Sequence, residues 1–169
     1  MRQAPCPPAL PPGHERGQTW RSLMALAFDE ACAAGAQDEA PVGAVLIDAQ
    51  GTVLARAHNS PIALNDPTAH AEVLCLRQAG TRAGNYRLPG SVLFVTLEPC
   101  LMCLGALLHA RVAGIVFAAL DPKAGALVSH LDGANLSFSN HRPWVLQGVM
   151  AEDCSALLKR FFLARRKSA

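Results

Sequence analysis

Residues 92–110 read VLFVTLEPCLMCLGALLHA, and this stretch decides the fold. Its first part, residues 92–96, is an unbroken apolar run, which is typical of a strand buried on both faces of a sheet. Pro99 then stands at the favoured first turn of a helix that we predict to extend to about residue 110. A buried strand that leads directly into a helix indicates a layered α/β protein.

The sequence on either side predicts further strands and helices. On the N-terminal side we predict a helix over residues 20–34 capped by Thr19, a hairpin of strands 42–47 and 53–57, and a helix over 69–79. On the C-terminal side we predict strands over 114–119 and 145–149, a loop over 121–142 with at most a short helical piece, and an amphipathic helix over 152–167. This order predicts a mixed sheet with a parallel part and helices on both faces.

Composition sets the limits of the domain and its class. The chain has 169 residues, of which 51% are hydrophobic and 17% charged, enough to bury a core without disulfides. Residues 1–18 hold five of the twelve prolines, and we predict a disordered Pro-rich arm there, followed by one domain over 19–169. The arm lacks the apolar run of a secretory signal, and no stretch is long and apolar enough to predict a membrane helix, so we expect a cytoplasmic protein.

The net charge of +2 conceals an asymmetry along the chain. The last eleven residues contain five basic side chains and no acidic one: Lys159, Arg160, Arg165, Arg166 and Lys167. Two interpretations stay open at this point. The cations could offset the dipole at the end of a solvated helix, or they could form a local phosphate-binding patch.

Two short motifs carry the chemistry, HAE at residues 70–72 and PCLMC at 99–103. Cys100 and Cys103 are three residues apart, so on a helix they share a face and can bind one ion. His70 can supply a third ligand, and two thiolates with one imidazole suit zinc with a fourth position open to water. Such an open position is typical of a catalytic site, where Glu72 would carry protons.

The two neighbouring cysteines, Cys100 and Cys103, also fit two other kinds of site. A CxxC pair after a strand also fits a thioredoxin-like redox centre. It could equally be half of a structural four-cysteine zinc site, although the other four cysteines are isolated from one another along the chain. The combination of HAE and PCxxC with a core strand between them favours catalytic zinc, and it matches the general signature of zinc nucleobase deaminases.

The wider sequence resembles the bacterial tRNA-specific adenosine deaminases of the cytidine/deoxycytidylate deaminase superfamily. The similar segments are PVGAVL (41–46), DPTAHAE (66–72), NYRL (85–88), VTLEPCLMCLGAL (95–107), NHR (140–142) and CSALLKRFF (154–162). The resemblance implies a three-layer α/β/α cytidine-deaminase-like fold with a five-stranded mixed sheet. It also implies one zinc ion per subunit on His70, Cys100 and Cys103, and a homodimer. The implied reaction converts adenosine to inosine at the wobble position of a tRNA anticodon, usually in an arginine tRNA.

The resemblance also implies residues that contact the RNA. Asn59 would contact the flipped base, although an Asn in a loop more commonly satisfies backbone groups. The remaining candidates are Asp121, Lys123 and Asn140 in loops, and Phe162, Arg165 and Arg166 on the last helix. Phe161 and Phe162 could instead pack in the core. Glu98 is expected to orient the metal loop or its own backbone.

The sequence departs from the family at several of these loops. Ser60 and Leu120 stand where relatives usually have Arg, Pro122 and Ala124 also differ, and residues 135–139 are less basic than usual. These changes leave tRNA choice open. Two other functions are also considered, namely a deaminase of a free base or nucleoside such as guanine or cytosine, and a zinc-binding partner subunit without catalysis. Retention of Glu72 argues against the second.

Overall fold

The computed structural model describes residues 3–168, with side chains up to residue 166. Five strands form one sheet: β1 (Gly43–Ile47), β2 (Val53–His58), β3 (Val92–Leu97), β4 (Gly114–Ala119) and β5 (Trp144–Gln147). Five α-helices accompany them: α1 (Trp20–Ala36), α2 (Pro61–Leu64), α3 (Ala71–Ala83), α4 (Leu101–Ala110) and α5 (Ala151–Ser168). The strand order β2-β1-β3-β4-β5 is antiparallel on the β1–β2 and β1–β3 sides and parallel from β3 to β5. The predicted mixed sheet is confirmed.

Strand β1 shows why the sheet is covered on both faces. All five of its residues are buried, and successive side chains point to opposite faces. Ala44 and Leu46 belong to the core under α3 and α4, whereas Val45 and Ile47 belong to the core under α1 and α5. Strand β1 therefore contributes to two separate cores, one on each face of the sheet, and the three layers follow from this.

Helix boundaries differ in places from those predicted. Thr19 caps α1 as predicted, in a capping box with Ser22. Helix α3 continues past Gly80 and ends at Gly84, which takes the left-handed conformation (φ 59°) that a C-terminal glycine supplies at low cost. Helix α4 begins at Leu101 with Cys100 as its N-cap, so the prediction that Pro99 occupies the first turn is wrong: Pro99 precedes the helix. For β5, the predicted range 145–149 starts one residue too late and ends two residues too late.

The short helix α2 lies in a segment that we predicted as loop. Ser60 is its N-cap residue and Pro61 occupies the first turn, an arrangement typical of helix starts. Asn65 ends the helix in the left-handed conformation (φ 49°). Helix α2 therefore forms one side of the loop that leads to His70.

The N-terminal segment is in contact with the domain where the structure describes it. A 3-10 turn covers His14–Arg16, and the Gln18 side-chain amide donates to the carbonyl of Gly51 in the β1–β2 turn. The Ala4 amide donates to Asn135 Oδ1 (2.6 Å). Residues 1–2 and 169 of the two predicted segments lie outside the described residues, and the predicted disorder of the arm and the domain boundary stay predictions. Within residues 3–168, no helix has the length and apolarity needed to cross a membrane.

Candidate active site

Three potential metal ligands meet where α3 and α4 begin. His70 is the N-cap of α3, and Cys100 is the N-cap of α4, with Cys103 in the first turn of that helix. Their ligand atoms lie within 4.8 Å of one another. His70 Nδ1 is 3.7 Å from Cys100 Sγ and 3.6 Å from Cys103 Sγ. Thirty residues of chain separate His70 from Cys100, so the fold and not local sequence brings them together.

These distances fit a tetrahedral zinc ion. With Zn–S bonds of about 2.3 Å and Zn–N bonds of about 2.0–2.1 Å, a tetrahedral angle places nitrogen and sulfur about 3.6 Å apart. Two sulfurs and one imidazole nitrogen are also the donor types that zinc prefers. The donor set therefore fits zinc in both geometry and chemistry, and it leaves one position of the tetrahedron open.

The thiols and the imidazole perturb one another. The hydrogen bond from the Cys103 thiol, followed by the contact with His70, lowers the pKa of Cys100 to about 4 against the opposing effect of burial. The same hydrogen bond, together with burial, raises the pKa of Cys103. The contact with Cys100 raises the pKa of His70. Cys100 is therefore a thiolate at neutral pH, the form that binds metals.

Glu72 is a buried carboxylate beside this cluster. It occupies the first turn of α3, and its side chain is 3% exposed. Among the described residues, no group donates a hydrogen bond to its Oε2 atom. Burial raises the pKa of Glu72, although the backbone and His70 oppose the shift. An unpaired buried carboxylate oxygen is costly to keep for structure alone, and it is a suitable acceptor for a transferred proton.

His70 and Glu72 reach one site because His70 stands just outside the helix. His70 has extended backbone dihedrals (φ −75°, ψ 151°), whereas Glu72 is helical. Two residues on a regular helix would point to different sides. Because His70 is extended and Glu72 is helical, the two side chains can face the same site.

Asn59 supports the same helix start. The Ala71 amide of α3 donates to Asn59 Oδ1 (2.9 Å), and Asn59 is buried. This bond fixes the orientation of the side-chain amide, because only the oxygen can accept from an N–H. Within residues 3–168 its Nδ2 group makes no hydrogen bond. Asn59 thus satisfies a backbone group, as the structural alternative predicted, and retains a free donor.

Two acidic residues fix the loop between Asn59 and His70. Asp66 accepts from the Thr68 amide and hydroxyl and from Arg77 on α3. The hydrogen bonds from Thr68 come first among the causes that lower the pKa of Asp66 to about 2. Glu39, which is 1% exposed, accepts from the amides of Ile62 and Ala63 (2.9 and 2.8 Å). Sequence analysis missed Glu39, since its partners lie more than twenty residues away.

Glu98 is a second buried carboxylate that holds a loop. It follows β3, is 2% exposed, and accepts hydrogen bonds from the segment after β4. Burial works against its ionisation, but the hydrogen bonds from Ser129, Val128 and Asp121 outweigh this effect and hold the pKa of Glu98 below its usual range.

The predicted RNA contacts occupy three separate places. Asp121 and Lys123 follow β4 beside the metal cluster, where Asp121 Oδ1 accepts from the Lys123 amide (2.9 Å). Asn140 lies elsewhere, because its carbonyl accepts from Arg111 at the C-terminal end of α4. The ten residues of α4 put that end about 15 Å from Cys100. The structure therefore does not bring Asn140 to the cluster within one chain.

The third group lies on α5. Phe161 and Phe162 contact each other edge to face, with ring centroids 5.3 Å apart, and Phe162 is 45% exposed. Arg165 stacks over Phe161 and donates to the carbonyl of Asp38. Arg166 is exposed, and the Lys167 side chain lies outside the described part of the chain. The end of α5 is thus attached next to Glu39 and the α2 loop.

The layers and the site define a class of protein. A five-stranded mixed sheet with a His–Cys–Cys cluster and a buried glutamate at two helix starts is the arrangement of a zinc-dependent nucleobase deaminase. A family model for the cytidine and deoxycytidylate deaminase zinc-binding region matches residues 18–119. The chain belongs to this family and, within it, to the tRNA-specific adenosine deaminase group, and it is an enzyme.

Individual relatives support this assignment. The tRNA-specific adenosine deaminase of Haemophilus influenzae is 43% identical over 152 residues, which cover 90% of this chain and 88% of the relative. A solved structure from work on A-to-I editing by tRNA:A34 deaminases is 42% identical with a TM-score of 0.78, and the match covers 81% of this chain and 99% of that one. Guanine deaminase from Bacillus subtilis is 36% identical with a TM-score of 0.58, over 61% of this chain and 66% of that chain.

Proposed function

We propose that this enzyme carries out zinc-dependent hydrolytic deamination of adenosine to inosine at the wobble position of a tRNA anticodon, with an arginine tRNA as the first candidate. The observation that carries the chemistry is the His70–Cys100–Cys103 cluster with the unpaired oxygen of Glu72 beside it. The observation that favours RNA is the 43% identity to tRNA-specific adenosine deaminases over most of the chain. A protein that handles tRNA is expected in the cytoplasm.

The protein groups have distinct parts in this reaction. His70, Cys100 and Cys103 would hold one zinc ion per subunit. When bound, zinc would supply a water activated for attack at neutral pH. Glu72 accepts one proton of the attacking water and delivers it to a ring nitrogen of adenine. It then takes the second proton of that water, from the hydroxyl now attached to C6, and transfers it to the leaving amine. The C6–N bond breaks, ammonia departs and a keto oxygen remains at C6.

The remaining candidates would bind the substrate. The free Nδ2 group of Asn59 is suited to donate a hydrogen bond to the base. Asp121 and Lys123 lie on the loop beside the cluster, and Phe162, Arg165 and Arg166 combine an exposed ring with cations, as single-stranded RNA sites do. Asn140 would reach the RNA from the far end of α4.

A homodimer is part of this proposal. The outer faces of α3 and α4 leave a groove between them, lined by apolar residues such as Val73, Leu76 and Ala106 together with polar ones, among them Arg77 and His109. Leu101 is 61% exposed at the start of α4. Apolar surface of this kind on paired helices favours a second copy of the chain. In such a dimer, a residue at the far end of α4 in one subunit could act at the site of the other.

A second function is supported by specific observations. Leu120 and Ser60 are uncharged at positions where the resemblance implies arginine, and Leu120 is exposed. The solved guanine deaminase shares this fold and 36% of its aligned residues. These observations favour, as the alternative, a deaminase of a free base or nucleoside such as guanine or cytosine.

One experiment separates the two functions. Purified, zinc-loaded protein is incubated with an arginine anticodon stem-loop that carries adenosine at the wobble position, and in parallel with free adenosine, cytidine, cytosine and guanine. We expect inosine at the wobble position only, with activity that falls steeply as salt rises, because RNA binding releases counterions. Deamination of a free base without change in the RNA would establish the alternative.

Glu72→Ala is the control for the chemistry. Since Glu72 is not among the three proposed ligands, we expect the variant to retain its zinc, measured by atomic absorption, and to lose at least about 10²-fold in turnover. Wild-type turnover in this variant would exclude Glu72 as the proton carrier.

A further inference from the structure

The segment from Asp121 to Ser129 folds around the carboxylate of Glu98. Oε1 of Glu98 accepts from the amides of Leu127 (3.0 Å), Val128 (2.7 Å) and Ser129 (2.9 Å). Oε2 accepts from the Asp121 amide (3.1 Å) and from the Ser129 hydroxyl. Four backbone N–H groups and one hydroxyl thus point at one buried anion, and both ends of the segment are held.

The middle of the segment approaches the carboxylate so closely that a side chain is excluded. A Cβ atom at Gly125 would overlap the Glu98 carboxylate and would lie 2.7 Å from the carbonyl oxygen of Asp121. The Gly125 amide donates to that same carbonyl (2.9 Å). Only glycine fits this position.

The same segment also lies against the metal-binding turn. The Ala126 amide donates to the carbonyl of Pro99 (2.9 Å), and Gly125 forms a β-bridge with Cys100. Glu98 itself is joined to the end of β4, since its amide donates to the carbonyl of Ala119 (2.8 Å). Residues 125 and 126 are therefore paired with the turn that presents Cys100, which places the loop next to the metal cluster.

We propose that Glu98 is a positioning residue for the RNA substrate: it holds residues 121–129 in place, so that Asp121 and Lys123 are presented beside the metal cluster. This inference rests on the proposed function, because it assigns a use to the RNA contacts of that loop. Glu98 does not touch the reacting atoms. Its effect passes through the backbone of the loop, and the effect falls on substrate binding more than on turnover.

The test compares wild type with Glu98→Gln in the metal-loaded, full-length protein. Glutamine retains the shape but replaces one accepting oxygen with an NH2 group that faces N–H donors, and it removes the charge that strengthens these bonds. We expect the KM for the anticodon stem-loop to rise about tenfold or more, with kcat lowered less than about threefold and the zinc content unchanged. Hydrogen exchange should become faster at the amides of residues 121 and 127–129.

A matched control exists at the other end of the sheet. Asp48 Oδ1 accepts from the amides of Gln50 and Thr52 in the β1–β2 turn, at 2.9 and 2.8 Å. Asp48→Asn should speed exchange at residues 50 and 52 and leave the KM unchanged. Ser129→Ala removes one donor to Glu98 and provides a milder variant should Glu98→Gln fail to fold, with an expected severalfold rise in KM.

Three results would count against the proposed role of Glu98. An unchanged KM in both Glu98→Gln and Ser129→Ala, or a loss confined to kcat or to zinc content, would overturn it. An unchanged exchange rate at residues 127–129 would overturn the loop-holding role itself. If wild type leaves the stem-loop unmodified, the proposed function fails and the RNA role fails with it. Exchange in the same variants then shows separately whether Glu98 holds the loop.

Discussion

Asn59 stabilises the start of α3 through its oxygen and, in the proposed function, donates to the base through its nitrogen. Two substitutions should separate these roles. Its Oδ1 accepts the Ala71 amide at the start of α3, the helix that carries Glu72, while its Nδ2 is free. Asn59→Ala removes both groups. Asn59→Asp retains an acceptor of the same shape and replaces only the donor.

The cost of Asn59→Ala follows from the burial of the bond. Asn59 is 7% exposed and Ala71 is fully buried, so water does not replace the lost acceptor. An unsatisfied buried amide costs about 1–3 kcal/mol. A loss of about 2 kcal/mol in the free energy of unfolding corresponds to a fall in Tm of about 4–8 °C for a chain of this size. Asn59→Asp should recover at least half of that loss, because a helix N-terminus stabilises an anion.

The two variants should differ in stability but lose activity to a similar extent. Both variants lack the Nδ2 donor, so both should lose at least about tenfold in kcat/KM on the anticodon stem-loop, a factor that corresponds to about 1.4 kcal/mol in the transition state. The assays are thermal unfolding of the zinc-loaded proteins and initial rates of inosine formation. A wild-type Tm for Asn59→Ala would refute the stabilising role of its bond to the Ala71 amide. Wild-type kcat/KM for Asn59→Asp would refute the donor role.

Three further predictions concern stability. Gly114→Ala should lower the free energy of unfolding by about 1–3 kcal/mol in urea titrations, because the added Cβ would overlap the Trp144 indole; Gly105→Ala, with open space around the position, should be neutral or stabilising. The pKa of Asp66 is lowered from 3.8 to about 2, so its stabilising effect is present above about pH 4 and is lost as the pH falls toward 2. The stability difference between wild type and Asp66→Ala should shrink over that range, and a constant difference would contradict the role of the Thr68 hydrogen bonds. Removal of the metal with a chelator should lower Tm, and addition of zinc should restore it. An identical Tm with and without chelator would contradict a bound metal that stabilises the fold.

Much of the fold was predictable because its signals are local. The apolar run at 92–96, the turn between the first two strands and the Thr19 cap each depend on a few neighbouring residues, and each appears in the structure close to where it was predicted. The early end predicted for α3 shows where local reasoning fails. Gly80 and Gly84 are equally good stop signals in sequence, and only the left-handed conformation at Gly84 shows which one ends the helix.

The site was predictable to the extent that its residue types are rare. Two cysteines at helical spacing and an HAE motif identify candidate ligands without a structure. Among the residues that support them, the sequence analysis named Asn59 and Glu98 without their partners and missed Glu39. Glu39, Asn59 and Glu98 are ordinary polar residues whose partners lie 12–31 positions away, so their roles depend on which loops the sheet brings together.

This difference suggests how the enzyme could change substrate without changing its reaction. The reacting groups stand at the starts of α3 and α4, which are fixed by packing against β1 and β3. Two of the proposed substrate residues, Asp121 and Lys123, stand on a loop that buried Glu98 holds to this frame. Leu120 is 52% exposed at the start of this loop, so a change of side chain there leaves the metal cluster and Glu72 undisturbed. If the proposed function holds, introducing arginine at position 120 should therefore alter the KM for the stem-loop without altering zinc content.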